Sequence, residues 1–592
     1  MENDLNTMRH STSHLMAAAI MELFPGTKLA IGPAIDEGFY YDFEFISPLS
    51  DADFPKIEAI MAEIKVKNLA FVKKDVSSED ARKLFSNQPY KLELISDLVS
   101  SGECVNVSNL EGVQLSTYST GNFIDLCVGP HVENTSQIGP FKLLSVAGAY
   151  WKGNEKNKML TRIYGTCFPT QKELDDYLKF LEEAKKRDHR LIGKNLDLFV
   201  FSDLVGRGLP MFTEKGSVIR RELERFIVDE EINRGYKHVY TPELANVDLY
   251  RKSGHYPYYK DTMYPVMKID NEELMLRPMT CPHHFQLYLS KQRSYKELPI
   301  RYAELAKQFR YEKSGELSGL MRVRLFCLAD AHIVCQKDQA VSEINGVLDL
   351  IEYTAGVLGL KKGENYRYQL SLGDRADENK FYKDEQAWDF AENVLKNVLT
   401  ERNAPFSEGK GEAAFYGPKI DIQMKNFAGV ENTAFTVQYD FVMPKRFEMK
   451  YTNSVGQEEE PIVIHRSSIG AFERVIAFLI EHYAGAFPVW FSPVQVKIIP
   501  ISEKSLDYAK SVAEKLQNED IRVEIDERNE KMQAKIRDAE MEKIPYMLIV
   551  GPKESESGNV SVRVRGEHDL GSMKFDQFIN LIKEDIDKKR QV

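Results

Sequence analysis

The sequence predicts an α+β chain built from several domains, and three observations carry that expectation. Its 592 residues are enough for roughly three to five domains of ordinary size. Hydrophobic residues make up 43% and charged residues 28%, the balance of a chain that buries several cores. That excludes a disordered chain, a coiled-coil rod and a collagen-like repeat. The patterning also shifts along the chain, from mixed short elements, through an aromatic- and arginine-rich stretch, to plain alternation of strand and helix. The shifts divide it into residues 1–170, 171–193, 194–489 and 490–592.

In the first part, His10, His14 and the run Leu15 to Ile20 recur at helical spacing, which predicts a helix over 9–24. Gly-Pro at 32–33 and Gly-Phe-Tyr-Tyr-Asp at 38–42 then mark turns and a strand. Residues 171–192 are rich in Glu, Lys and Arg, with Leu and Tyr at helical spacing, and predict one connecting helix. It ends in the cluster Lys185, Lys186, Arg187, His189 and Arg190, which fits either a solvated face or a strip lying along a nucleic-acid backbone. The third part carries strands such as Lys237 to Thr241 and Arg322 to Phe326. The fourth predicts strands at 494–501, 521–526, 546–551 and 559–566, with helices at 503–517 and 530–540 and a last helix at the end. That order implies a small α/β domain with a largely parallel core.

Whole classes of function are excluded as well. The longest apolar runs, such as Leu15 to Met21, are far below the ~18 residues needed to cross a bilayer. The start, Met-Glu-Asn-Asp-Leu-Asn, has neither the basic nor the apolar region of a signal peptide. Six cysteines are too few for a disulfide scaffold, so a cytoplasmic protein with reduced thiols is expected. The net charge of −12 argues against sequence-blind nucleic-acid binding but leaves room for a locally basic groove that holds one RNA.

Two clusters carry chemistry. His10 and His14, at i and i+4, share a helix face, and Cys127-Val-Gly-Pro-His131 adds a thiol and a third imidazole, with Asp125 just before. Four such groups suit either a zinc site or an acid–base pocket. Further on, Arg310 and Glu312 alternate as in a strand, a Gly-containing loop follows, and Arg322, Arg324 and Phe326 resume the alternation. Arginines facing phosphates beside a ring for a base to stack on would make a nucleotide platform; the plainer alternative is a surface hairpin laced with ion pairs. No Walker or dinucleotide fingerprint is present. Cys281, His332 and His465 are too far apart for spacing to link them.

Taken together, these stretches resemble the threonyl-tRNA synthetases, class II aminoacyl-tRNA synthetases, over essentially the whole chain. The matching strings include His10-Ser-Thr-Ser-His14, Gly38-Phe-Tyr-Tyr-Asp42, Pro89-Tyr-Lys91, Asp125-Leu-Cys127-Val-Gly-Pro-His131 and Arg277-Pro-Met-Thr-Cys281-Pro. They continue with the run from Arg310 to Leu320, Asp330-Ala-His332, Phe415-Tyr-Gly-Pro-Lys-Ile-Asp421, Ile464-His465-Arg466, Phe472-Glu-Arg474 and Pro545-Tyr-Met547.

The resemblance implies an N-terminal editing domain (1–170), a linker helix (171–193), an antiparallel-sheet catalytic domain (194–489) and a C-terminal anticodon-binding domain (490–592). The ubiquitin-like domain that many relatives carry ahead of the editing domain is expected to be absent. The implied activity is ATP-dependent charging of tRNA with L-threonine, with Mg²⁺, one zinc and a homodimer whose motif 1 spans about Val218 to Pro242. Cys281, His332 and His465 resemble the zinc ligands. Asp330 and Tyr416 resemble further amino-acid contacts. Arg310 resembles the clamp on carboxylate and α-phosphate, Phe326 the ring under adenine, Glu312 a contact to its amino group, and Arg474 the arginine on the γ-phosphate. His255 resembles a residue near the terminal ribose, and Lys419 falls in a catalytic string. His10, His14, Tyr41, Lys91, Asp125, Cys127 and His131 resemble the site that hydrolyses seryl-tRNA, a site expected to work without a metal. Asn529, Glu554 and Arg563 fall where anticodon bases are read. The chain departs from the pattern at Leu328 and Ala329, at Asn432-Thr433-Ala434-Phe435 and at His283, all expected near the amino-acid pocket. Serine differs from threonine by one methyl, worth about 1–3 kcal/mol, which is why a second, hydrolytic site is implied.

Overall fold

The computed structural model describes residues 2–101, 114–154, 156–377, 380–427, 429–566 and 568–590. The chain forms two compact units, residues 1–182 and 183–592. No helix among the described residues is long and apolar enough to cross a membrane.

The first unit is organised by the helix Glu2–Leu23. It starts well before the predicted position because Met8 still packs against the core. Leu15, Met16, Ala19 and Ile20 are fully buried and pack with Phe39, Tyr41, Phe43 and Ile163 of the adjoining sheet. That sheet runs Lys28–Leu29, Gly38–Glu44, Met159–Cys167, Phe141–Tyr150, with Ala34–Ile35 also paired to Gly38–Glu44. A separate antiparallel sheet of Phe71–Ser77, Gln114–Thr120 and Phe123–Leu126 carries Asp125.

The predicted connecting helix is two helices, Gln171–Lys186 and His189–Asn195. Asp188 breaks it by capping the second: its carboxylate accepts the Arg190 N–H at 2.8 Å.

The second unit is built on an eight-stranded sheet in the order Lys237–His238, Ile300–Phe309, Leu325–Cys335, Ile462–Ala471, Glu431–Asp440, Lys419–Lys425, Tyr366–Leu372, Phe406–Lys410. The two outermost pairs are parallel and all others antiparallel. The strand alternation decides the site. Cys327, Ala329, Ala331, Ile333 and Cys335 enter the main core, together with residues of the helices Ala340–Val357 and Phe472–Tyr483. Phe326, Leu328, Asp330 and His332 therefore share the other face. The strand begins at Leu325, so Arg322 and Arg324 belong to the preceding turn, and Ile300–Phe309 ends just before Arg310.

The C-terminal sheet runs Val523–Ile525, Val496–Pro500, Tyr546–Val550, Asn559–Val564, His568–Lys574. Only the first three strands are parallel; the last two pair antiparallel. The largely parallel expectation fails there because only the short helix Pro552–Ser557 separates the third and fourth strands. A parallel return needs a longer crossover.

Candidate active sites

Strand register brings together the residues that spacing could not connect. His332 pairs directly with His465, which pairs in turn with Gln438 on the next strand. Cys281 opens the helix Cys281–Leu289, and one ligand atom from each of Cys281, His332 and His465 lies within 4.8 Å of the others. All three are buried. Hydrogen bonds fix which nitrogen each imidazole leaves free. His465 Nε2 donates to Asp440 Oδ2 at 2.7 Å, leaving Nδ1. His284 Nε2 donates to Glu304 at 3.3 Å, so its Nδ1 accepts from His332 Nδ1 at 2.8 Å and leaves His332 Nε2 free. Burial, then the His465 and His284 imidazoles, hold His332 well below its ordinary pKa, so it is neutral. One thiol and two imidazoles backed by carboxylates are a donor set that fits zinc. The sequence reading missed His284, Glu304 and Asp440, whose helix and strands mix polar and apolar residues and give no local signal.

Two expected amino-acid contacts border this cluster. Asp330 accepts from the Gln308 amide at 3.3 Å. The Tyr416 ring stacks on His465 with centroids 5.0 Å apart, and its hydroxyl donates to Gln438 at 2.6 Å. His255 is buried beside Phe415 and Tyr416. Ser253 gives its proton to the Tyr250 carbonyl, so His255 Nδ1 donates to Ser253 at 2.8 Å and Nε2 stays free. Burial, followed by His465 and Arg446, pushes the His255 pKa down to about 3.

The platform lies on the same sheet face. Arg310, Glu312, Phe326, Leu328 and Arg474 line one cavity of about 140 Å³. The Arg310 guanidinium sits 5.1 Å from the Phe326 ring centroid. Its position beyond the strand is set by the Arg310 N–H bond to the Arg324 carbonyl, 3.0 Å. Glu312 is engaged by Arg322 at 2.7 Å. Arg474 donates to the carbonyls of Thr433 (2.7 Å) and Met321 (3.2 Å). Lys419 is paired with Asp421 at 2.5 Å. Of the departures from the family pattern, Leu328 lines this cavity, whereas Ala329 points into the core and His283 is buried with both ring nitrogens unpartnered. Strand alternation therefore moves Ala329 away from the pocket where it was expected.

In the first unit His10, His14, Cys127 and His131 also place their donor atoms within 4.8 Å. His10 Nδ1 donates to the Pro130 carbonyl at 3.1 Å. Ser11 donates to the Thr7 carbonyl and accepts the Val132 N–H, so His131 Nδ1 must donate to it, at 3.1 Å. Both histidines thereby turn an unprotonated Nε2 toward Cys127 Sγ, at 3.4 and 3.3 Å. Burial, then His14 and His10, pushes His131 down to about 2, and burial pushes the Cys127 thiol up to about 11. The cluster is neutral. Asp125 stands behind it, 3.6 Å from His14 and held by the Tyr41 hydroxyl (2.6 Å) and Lys91 (2.5 Å). Lys91 is only 2% exposed; it pairs with Asp125, and its charge also acts on His10, His14 and Cys127. His10 is the member of the cluster that lines the adjacent cavity, about 610 Å³, with Asn6, Pro33 and Asp36.

In the C-terminal sheet Glu554 accepts from the Ser561 hydroxyl at 3.1 Å, and Arg563 lies two residues along the same strand with a buried, unpartnered Nε. Asn529 is exposed in the loop before the helix Met532–Met541.

Comparison with known proteins places this geometry. Residues 264–483 match the tRNA synthetase class II core domain (G, H, P, S and T), residues 495–585 the anticodon binding domain, and residues 115–164 the threonyl and alanyl tRNA synthetase second additional domain. The threonine–tRNA ligase of Geobacillus kaustophilus (strain HTA426) is 49% identical over 593 residues, covering 100% of this chain and 89% of that protein. That of Staphylococcus carnosus (strain TM300) is 49% identical over 589 residues, covering 99% and 89%. Among solved structures, the RNA binding domain of threonyl-tRNA synthetase from Cryptosporidium parvum Iowa II superimposes with a TM-score of 0.63 at 34% identity, covering 67% of this chain and 98% of that one. With near-complete coverage at this identity, the chain belongs to the threonine–tRNA ligase family of class II aminoacyl-tRNA synthetases.

Proposed function

We propose that the chain joins L-threonine to its tRNA through a threonyl-adenylate and hydrolyses seryl-tRNA formed in error. The observation that carries the reading is the single sheet face on which Phe326, Asp330 and His332 follow one another, with the His465 register partner and Arg310 beside them. In activation the threonine carboxylate attacks the α-phosphorus of ATP, the bond to the bridging oxygen breaks, and pyrophosphate leaves. Such a reaction needs positioning and charge neutralisation more than a general base. Arg310 clamps carboxylate and α-phosphate, Phe326 stacks on adenine, Glu312 takes its amino group on release from Arg322, and Arg474 takes the γ-phosphate. Mg²⁺ carried on the ATP neutralises phosphate charge. Cys281, His332 and His465 would hold one zinc, which would supply a Lewis acid that distinguishes threonine's hydroxyl from the corresponding methyl of valine. Asp330 and Tyr416 complete the amino-acid contacts, and Lys419 orders the neighbouring strand through Asp421. In transfer the terminal ribose hydroxyl attacks the adenylate carbonyl and AMP leaves; His255 Nε2 is the free base on that side.

Residues 1–170 serve as the editing domain, with the free nitrogens of His10 and His131 flanking Cys127 to orient a water against the ester carbonyl. Residues 171–193 connect it to the catalytic domain, 194–489, and residues 490–592 bind the anticodon through Asn529, Glu554 and Arg563. The chain acts in the cytoplasm as a homodimer, the helix Glu214–Asn233 lying in motif 1 at the interface. The deciding experiment is threonine-dependent ATP–pyrophosphate exchange, expected in the wild type and cut at least ~100-fold by Arg310→Ala. Wild-type exchange in that variant overturns the assignment of the platform.

A further inference from the structure

We propose that His189 is a positioning residue for the nucleotide site, its imidazole holding in place the turn 318–322 that carries Leu320, Met321 and Arg322 to the platform. The connecting segment offers Asp188, His189 and Glu481 as a group with donor atoms within 4.8 Å, which at first suggests a third cation site. Both nitrogens of His189 are already used. Nδ1 lies 2.7 Å from Glu481 Oε1, and Nε2 lies 3.1 Å from the backbone nitrogen of Leu320. A backbone N–H can only donate, so Nε2 accepts and the proton sits on Nδ1, directed at the carboxylate. The ring is only 3% exposed, and no lone pair is left for a metal. What remains is a relay from Glu481, on the helix Phe472–Tyr483 that also carries Arg474, through His189, to the loop between the two strands of the platform.

That loop is gripped from two sides. Arg474 takes the Met321 carbonyl while His189 takes the Leu320 N–H, one residue apart. Leu320, Met321 and Arg322 all line the cavity with Arg310, Phe326 and Arg474, and Arg322 is the residue that holds Glu312. Gly319 shows how tight the seat is. Its φ is +49°, and a Cβ there would fall 2.2 Å from His189 Nε2 and 2.9 Å from Arg190 Cγ. The segment carrying His189 is itself fastened to the same helix, since Arg187 donates to the His482 carbonyl at 3.3 Å and its guanidinium lies 4.2 Å from the Phe427 ring centroid. His189 touches no reacting atom. It acts by keeping the turn in one position before ATP arrives, which a flexible loop would have to adopt on binding.

The inference rests on the platform being the ATP site, and the test separates the two. Exchange kinetics are measured on the full chain with ATP and threonine varied independently. His189→Ala should raise KM for ATP about tenfold, the equivalent of one lost buried hydrogen bond, and move KM for threonine less than about twofold. His189→Gln, whose amide can donate to Glu481 and accept from Leu320, should return KM for ATP to within about threefold of wild type. Arg187→Ala, which removes one fastening of the segment but neither hydrogen bond of the relay, should raise KM for ATP clearly less than His189→Ala does. If His189→Ala does not fold, Glu481→Leu, which removes the group that orients the ring, is read in the same way. An unchanged KM for ATP, an equal rise in Arg187→Ala, or no recovery in His189→Gln overturns the role. Arg310→Ala is run alongside: exchange surviving there overturns the platform, whereas exchange lost there with His189→Ala unchanged overturns only the positioning role.

Discussion

The two histidine–cysteine clusters have nearly the same composition and the same 4.8 Å compactness, yet they are backed differently. On the catalytic sheet, His465 leans directly on Asp440, and His332 leans on Glu304 through His284. In the first unit, His10 leans on a backbone carbonyl, His131 on a hydroxyl, and His14 lies 3.6 Å from Asp125, which Lys91 neutralises as Arg277 neutralises Glu304 on the catalytic sheet. An outer acceptor, whether carboxylate or backbone carbonyl, fixes the tautomer and raises the basicity of a ligating imidazole, and the negative charge of a carboxylate favours a cation in front of it further. The proposed division, a metal at one cluster and water and an ester at the other, rests on these outer partners rather than on the inner residue types. The cluster in the first unit also reaches a cavity through His10.

The contrast breaks most visibly through hydrolysis. Changing His10 and His14 together to Ala should slow clearance of seryl-tRNA at least ~100-fold and leave threonine charging within about twofold. Clearance at the wild-type rate would make the first unit a structural or tRNA-gripping domain. Next in size is the metal. Elemental analysis should find one zinc per chain, lost in Cys281→Ala and kept in His10→Ala. Asp440→Asn, which touches only the outer partner, should weaken zinc retention against a chelator about 10- to 100-fold. Zinc that survives Cys281→Ala and disappears with His10→Ala would reverse the assignment of the two clusters.

A smaller effect follows from burial of neutral rings. His131 is held at about 2 and His14 well below its ordinary value, in both cases mainly by burial. The unfolded chain has ordinary histidines, near 6.5, so below that pH it binds protons that the folded unit refuses. Stability of the first unit is therefore complete above about pH 6.5 and is lost progressively as the pH falls below it. Amide exchange in the helix Glu2–Leu23 should quicken, relative to its intrinsic rate, between about pH 7.5 and pH 5.5. An unchanged protection factor would mean that the rings are not buried as neutral groups.

Much of this was legible in the sequence, for physical reasons that also mark the limit. The i, i+4 histidines and the Cys-x-x-x-His turn are local patterns, and local patterns survive folding: all four groups meet. The alternation read over Arg310, Glu312, Arg322, Arg324 and Phe326 did not hold: only Phe326 lies in a strand, and the others belong to the connecting turn between Phe309 and Leu325. Cys281, His332 and His465 meet through the pairing of distant strands, which no spacing encodes; only resemblance joined them. His189 was hidden for a different reason. It sits in a run of basic residues that looks like a solvated face, and only the Asp188 cap, by breaking the helix, turns it inward.

The smallest expected effect sharpens where amino-acid choice resides. If the Cys281/His332/His465 cluster selects threonine, residues on the same sheet face but nearer the platform should affect ATP alone. Leu328 is the test position. It lies between Phe326 and Asp330 on the site face, faces Ala306 and Ala471 across the sheet, and lines the cavity with Arg310 and Arg474. Leu328→Gln exchanges an apolar lining group for a polar one of similar length in the proposed nucleotide site. It removes neither Phe326 stacking nor the Arg310 clamp. KM for ATP should shift by less than about threefold, and the preference for threonine over valine in the exchange assay should stay the same. A changed preference would place part of the selectivity on the platform side of Asp330, and the sheet cluster could no longer be credited with it alone.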